Sequence, residues 1–239
     1  MRIIQCGSKE EAIETVASML VEKVESHPET VVGLATGRTM EPVYEALVSK
    51  VRETGVSLSQ SFFFMLDEYI GLPDDHPSSF KHYIKTHLLA PLSLDESQIA
   101  FPPATTGDGG SYEKLLQEKG GIDLQLLGIG KNGHIGFNEP GSDKNSRTRV
   151  VTLAQETIEA NRDQFSDIIP KEALSMGIGT ILESKSLLML VTGKSKADAI
   201  KYLLNHHDDP SCPATFLKGH PHFTLVLDPD AASRINLNI

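Results

Sequence analysis

Short apolar runs separated by longer amphipathic stretches recur along the whole chain, and this alternation limits the available folds more than any other feature. Residues 30–35 (TVVGLA), 62–66 (FFFML), 124–129 (LQLLGI), 187–191 (LLMLV) and 223–227 (FTLVL) are too short for helices. They are rich in β-branched or large apolar side chains and read as buried strands. Residues 3–5 read as a further edge strand. Residues 9–26 place Ala12, Ile13, Val16, Met19, Leu20 and Val24 on one helical face, and Ser8 with Glu11 resembles a capping box. Residues 42–52, 78–89, 111–119 and 195–205 carry helical patterns, and 170–176 a shorter one. The alternation predicts an α/β fold: a mostly parallel sheet with helices on both faces. Such sheets bind ligands beyond the carboxyl ends of their strands, so the loops there are where chemistry is expected.

No Ser/Gly tract, Pro-rich spacer or long single-sign charge run interrupts the 239 residues, so one domain over 1–239 is expected. The formal net charge of −10 argues against a nucleic-acid partner, and an anionic ligand would need a local cluster of positive groups. The two cysteines, Cys6 and Cys212, form neither a disulfide framework nor a CxxC site, which fits a reduced, cytoplasmic setting. The N-terminal apolar stretch is too brief for a signal peptide, and no run approaches a membrane span.

Three loops stand out. Thr36-Gly37-Arg38-Thr39 joins a strand to a helix with Pro42 in its first turn. Glycine admits a close ligand, helix-start amides favour an anion, and two hydroxyls and a guanidinium add donors. The stretch reads as a phosphate cradle or as an ordinary strand-to-helix turn; it is neither a Walker loop nor a GxGxxG fingerprint. Asp67 and Glu68 directly follow five apolar residues, and a carboxylate at a strand end suits a general base, or else a turn cap. The third loop, 126–141 (LLGIGKNGHIGFNEPG), carries Gly128 and Gly130, which would let a ligand lie on backbone. It also carries Asn132, His134 and Glu139, close enough for a folded loop to pair imidazole and carboxylate. A carboxylate on one ring nitrogen fixes the tautomer and raises the basicity of the other, the arrangement of an oriented acid–base group. Metal binding is disfavoured because no second histidine or cysteine cluster lies at ligand spacing. His220–His222 reads as an exposed turn.

LATGRT, LDEY, LLGIGKNGHIGFNEPG, SMGIGTIL and LVTGKSKADA occur in an order that resembles the glucosamine-6-phosphate deaminase (isomerase) family, over nearly the whole chain. GHIGFNEPG is the most specific of these; the related 6-phosphogluconolactonases share a Gly-x-Gly-x-x-Gly-His stretch without the Phe-Asn-Glu-Pro. The resemblance implies a modified Rossmann-like fold, an amino sugar phosphate substrate and proton-transfer chemistry needing no cofactor. It implies Asp67 as the base that moves a proton between C2 and C1, His134 as the group that opens the pyranose ring, and Glu139 as the carboxylate completing that relay. Asn132 stands where longer members have aspartate. Thr36, Gly37, Thr39 and Lys196 match the family's phosphate ligands. A mobile lid within 142–176 is implied as well. The longer members have a C-terminal extension associated with hexamers and allosteric control, and its lack here leads us to expect a monomer or small homo-oligomer.

The chain departs from the family pattern at two points. Arg38 is bulky where most relatives have glycine or serine. The arginine of the usual Ala-Asn-x-Arg falls one residue early, as Arg162, with Asp163 in its place. The expectation is that Arg38 takes over the phosphate contact and Arg162 points elsewhere, with a shift of the lid by one residue as the alternative. The retained Ala160-Asn161 and Asp67-Glu68-Tyr69 lean toward the glucosamine form, while galactosamine-6-phosphate isomerase/deaminase stays open. A lactonase and a non-catalytic sugar-phosphate sensor are the further rivals.

Overall fold

The computed structural model describes residues 1–160, 162, 165 and 168–235. In chain order the elements are β1 (Arg2–Gln5), α1 (Lys9–Ser26), β2 (Val31–Leu34), α2 (Glu41–Thr54), β3 (Phe62–Met65), β4 (Asp67–Tyr69) and α3 (Phe80–Ile84). A π-helical turn over Lys85–Leu89 follows, then α4 (Ala90–Leu92), β5 (Ile99–Ala100), α5 (Gly109–Glu118), β6 (Leu124–Leu127) and β7 (Arg149–Thr152). The chain ends with α6 (Gln155–Ala160), β8 (Glu172–Ser175), α7 (Ile178–Leu182), β9 (Leu187–Val191), α8 (Ala197–Asn205) and β10 (Phe223–Leu227).

Seven strands form a parallel sheet in the order β1-β10-β9-β6-β2-β3-β5. Every residue of β2, β6 and β9 is buried, which requires cover on both faces and explains why those runs are apolar but for Gln125 in β6. β1 lies at the rim and is half exposed, as an edge strand should be. The Ser8 hydroxyl caps α1 by accepting from Glu11 N at 3.0 Å. The Glu11 carboxylate reaches back to Gly7 N, one residue before the usual partner in a capping box. Among the described residues no helix is long and apolar enough to cross a membrane.

Strand order reverses between β2 and β6. From β2 the chain continues outward to β3 and β5; from β6 it continues the other way, to β9 and β10. Loops leaving the two central strands therefore diverge and leave a crevice at their carboxyl ends.

A second, antiparallel sheet, β4-β8-β7, sits beyond that crevice and was not expected from the sequence. Within residues 170–176, Glu172–Ser175 form strand β8 rather than a short helix. Pairing on both sides, Asp67↔Ser175 with β4 and Arg149↔Ser175 with β7, outweighs the weak local helical preference of Glu172-Ala173-Leu174-Ser175. The helix expected over 78–89 holds α form only to Ile84 before the π-helical turn. His220 is buried, with Nε2 2.8 Å from the Ser184 carbonyl, so the exposed-turn reading holds for Pro221 and His222 but not for His220.

Candidate active site

A cavity of about 830 Å³ opens at the carboxyl ends of β9, β6, β2 and β3, four neighbours in the sheet. Each supplies a loop. Thr36, Gly37, Arg38 and Thr39 follow β2, Asp67 follows β3, the segment from Gly128 to Glu139 follows β6, and Lys196 follows β9. Gly37 adopts φ +100°, a left-handed conformation that favours glycine, and its carbonyl accepts from Met40 N at 2.8 Å. The turn delivers the chain into α2, whose first turn has no side-chain cap and so leaves the positive end of the helix dipole open to an anion. Arg38, Lys131 and Lys196 line the same cavity, and among the described residues none of them has a carboxylate partner. Burial, then the charge of Lys131, lowers the Lys196 pKa, as expected of two ammonium groups that no anion separates.

Asp67 is 5 % exposed, and no hydrogen bond from the described residues reaches its carboxyl. Burial first, and the neighbouring Glu68 charge second, push its pKa up to about 8. Strand alternation turns Glu68 away from this chemistry. Its carboxylate accepts from Tyr69 N (2.8 Å), Phe80 N (3.0 Å) and Lys81 N (2.7 Å), which holds the start of α3 against β4.

The loop after β6 folds back on itself. Asn132 Oδ1 accepts from His134 N at 3.2 Å, and Asn132 Nδ2 donates to Glu139 Oε2 at 2.7 Å. The same Oε2 lies 3.2 Å from His134 Nδ1, within ion-pair distance but off the line of a well-aligned hydrogen bond. Burial would raise the Glu139 pKa, but the contacts with His134, Thr157 and Asn132 outweigh it and hold the group at about 2. Glu139 is thus a permanent carboxylate on one edge of the imidazole. Gly130 packs directly on the ring, where any side chain would collide with it. Behind the loop, Asn138 Nδ2 bonds the carbonyls of Ile135 (2.9 Å) and Met176 (2.8 Å), and its Oδ1 accepts from Arg149, so this amide is committed to scaffolding.

One wall therefore carries a buried acid able to act as a base, another an imidazole beside a carboxylate, and the cavity also carries three cations without a carboxylate partner among the described residues. Known proteins share both sequence and fold with this arrangement. The family described as glucosamine-6-phosphate isomerases/6-phosphogluconolactonase matches residues 8–225. The chain belongs to that family. A glucosamine-6-phosphate deaminase of Rhodopirellula baltica is 47 % identical over 95 % of this chain and 93 % of its own length. One from Bacillus velezensis is 44 % identical over 97 % and 99 %. The solved structure of a monomeric glucosamine-6-phosphate deaminase is 39 % identical, covers 98 % of this chain and 100 % of its own, and superposes with a TM-score of 0.95. A 6-phosphogluconolactonase from Trypanosoma cruzi, 20 % identical with a TM-score of 0.77, shares the fold.

Within this family member the cavity gathers Asp67, Asn132, His134, Glu139, Thr36, Gly37, Arg38, Thr39, Gly128, Gly130 and Lys196, all expected from the sequence. Arg162 is exposed and is not among the lining residues; Asn161 and Asp163 lie outside the described residues. Two polar lining residues escaped the sequence reading. Lys131 looks like a solvent-facing charge inside a glycine-rich loop. Thr157, on α6, donates to Glu139 Oε1 at 2.5 Å, and a lone threonine 18 residues away carries no signature of that contact. Among the described residues no cluster of three His, Cys, Asp or Glu side chains is placed to hold a metal ion.

Proposed function

We propose that the chain converts glucosamine-6-phosphate and water to fructose-6-phosphate and ammonia. The observation that carries this reading is that Asp67 and the His134–Glu139 pair face one cavity from separate strand ends, with Arg38, Lys131 and Lys196 lining the same space. The phosphate sits against the uncapped start of α2, Thr36, Gly37, Arg38 and Thr39, and Lys196. His134, with the Glu139 carboxylate 3.2 Å from its Nδ1, presents its other nitrogen to the sugar. It takes the proton from O1 and returns one to O5, which opens the ring. Asp67 then removes the proton from C2 while O1 gains the proton that the C2 ammonium gives up, which makes an enolamine, and Asp67 returns its proton to C1. This leaves an iminium at C2; water adds there, one of its protons passes to the nitrogen, and ammonia departs.

Ring opening needs a group able to take and give a proton near neutrality, and enolisation needs a separate base at C2. A lone hydrolytic site has no use for the second group, which is why the buried Asp67 favours the deaminase over a lactonase. A base works best with a pKa near the working pH, and an aspartate raised to about 8 is close to that range. The substrate's own C2 ammonium, beside the carboxyl, draws it into the ionised form. A phosphorylated amino sugar and two buried free cysteines suit a reducing cytoplasm, and the likeness to a monomeric relative makes a monomer the expected state in solution.

The test is a coupled assay on purified protein offered glucosamine-6-phosphate, galactosamine-6-phosphate or 6-phosphogluconolactone, with ammonia, ketose phosphate and acid followed separately. Ammonia and ketose phosphate released together from the gluco substrate is the expected result. Acid from the lactone without ammonia from either amino sugar overturns the reading.

A further inference from the structure

Among the described residues, helix α6 reaches the acid–base cluster through Thr157. Thr157 is 8 % exposed, lines the cavity and donates its hydroxyl to Glu139 Oε1 at 2.5 Å. The other carboxylate oxygen, Oε2, takes the Asn132 amide at 2.7 Å and stands 3.2 Å from His134 Nδ1.

We infer that Thr157 is a positioning residue for the reaction: by holding Glu139 Oε1 it fixes the plane of the carboxylate, so that Oε2 is aimed at the His134 ring only while α6 is docked over the cavity. The inference rests on the deaminase reading above.

The terminal torsion of a glutamate is broad, so a carboxylate tethered through one oxygen swings freely about its last bond. Asn132 and His134 both act on Oε2 and leave that swing open. A donor on Oε1 closes it. Threonine suits the task because its branched Cβ restricts χ1, and its hydroxyl forms a short, charge-assisted bond with an ionised acceptor. Asn132 and Glu139 belong to one loop, whereas Thr157 comes from a helix connecting β7 to β8. Orientation of the imidazole is thereby tied to an element outside its own loop. The contact also supports the ionised state of Glu139, whose pKa burial alone would raise and whose three partners bring it to about 2.

The test compares Thr157→Val, which keeps the shape and loses the donor, with Thr157→Ser, which keeps the donor. We expect Thr157→Val to lower kcat about tenfold, with KM changed less than twofold, since one hydrogen bond to a charged group is at stake. Thr157→Ser should restore most of the loss. Independently of turnover, the Glu139 carboxyl carbon followed by NMR should titrate at higher pH in Thr157→Val than in wild type. An unmoved Glu139 midpoint, or a Thr157→Ser variant as impaired as Thr157→Val, overturns the positioning role. Should Thr157→Val fail to fold, Thr157→Ala against Thr157→Ser gives the same comparison. Because the titration needs no substrate, a wild-type protein inert toward the amino sugar defeats the deaminase reading while leaving this measurement decisive for Thr157.

Discussion

Gly130 shows how one missing methyl group can set a catalytic geometry. The sequence reading gave it to the ligand, as a place where a sugar could lie on backbone. It lines the cavity, but its Cα also supports the His134 ring, and an alanine there would overlap three imidazole atoms. Gly130→Ala is therefore expected to turn the ring away from Glu139 and lower kcat by about tenfold or more, with KM less affected because the cationic residues are untouched. Steady-state kinetics on glucosamine-6-phosphate check this, and a fall in kcat/KM that comes wholly from KM would contradict it. Arg38 and Arg162 present the other question at this scale. Arg38 lines the cavity without a carboxylate partner among the described residues, whereas Arg162 is exposed away from the lining. Arg38→Ala should raise KM about tenfold, the loss of a charge-assisted contact, and Arg162→Ala should leave it within about twofold. A reversed pattern would mean that the phosphate is gripped by Arg162, after α6. His134 and Glu139 were legible because their contact is local, within a single loop whose glycines announce it. Thr157 was not, because its contact crosses between elements and its residue type is common on helices.

Elements divide along the same line. The inner strands of the main sheet were readable because burial on both faces makes them largely apolar runs, as in LLMLV of β9, where every residue is buried, whereas the two-residue β5 was not read. β4 reads DEY, β7 RVVT and β8 EALS. Three or four residues of mixed polarity have no periodicity, and they become strands only because each supplies the backbone partner another lacks. This small sheet has its own apolar cluster: Tyr69, Leu72, Phe137, Leu153, Phe165 and Ala173, set apart from the main core. Tyr69 is its centre, with ring centroids 4.6 Å from Phe80, 5.4 Å from Phe137 and 5.3 Å from Phe165. Phe165 thus ties the chain after α6 to the strand that starts with Asp67. Phe165→Ala should speed amide hydrogen exchange over residues 149–175 at least tenfold while the main sheet keeps its protection, because the loss falls on a satellite cluster. Uniform acceleration across β2, β6 and β9 would show instead that the two sheets unfold as one unit.

For the molecule as a whole, the reversal of strand order between β2 and β6 gathers distant residues into one crevice, and this has a cost that can be measured. Closing the second sheet over the crevice leaves Asp67 5 % exposed, with a pKa of about 8 set by burial first and by Glu68 second. An unfolded chain ionises an aspartate near pH 4, as an ordinary carboxyl does. Between about pH 4 and about pH 8 the folded chain binds the proton that the unfolded chain releases, so this group's stabilising contribution is complete below pH 4 and is lost as pH rises through about 8. The amount at stake is on the order of a few kcal/mol. Asparagine has nearly the shape of the protonated acid and never ionises. Asp67→Asn should therefore melt close to wild type at pH 4 and several degrees above it at pH 9, while losing the C2 proton transfer and hence deamination at both. Calorimetric Tm values of the two proteins across that range decide it. A melting difference that stays constant with pH would mean that Asp67 carries its charge in the folded protein and that burial does not raise its pKa.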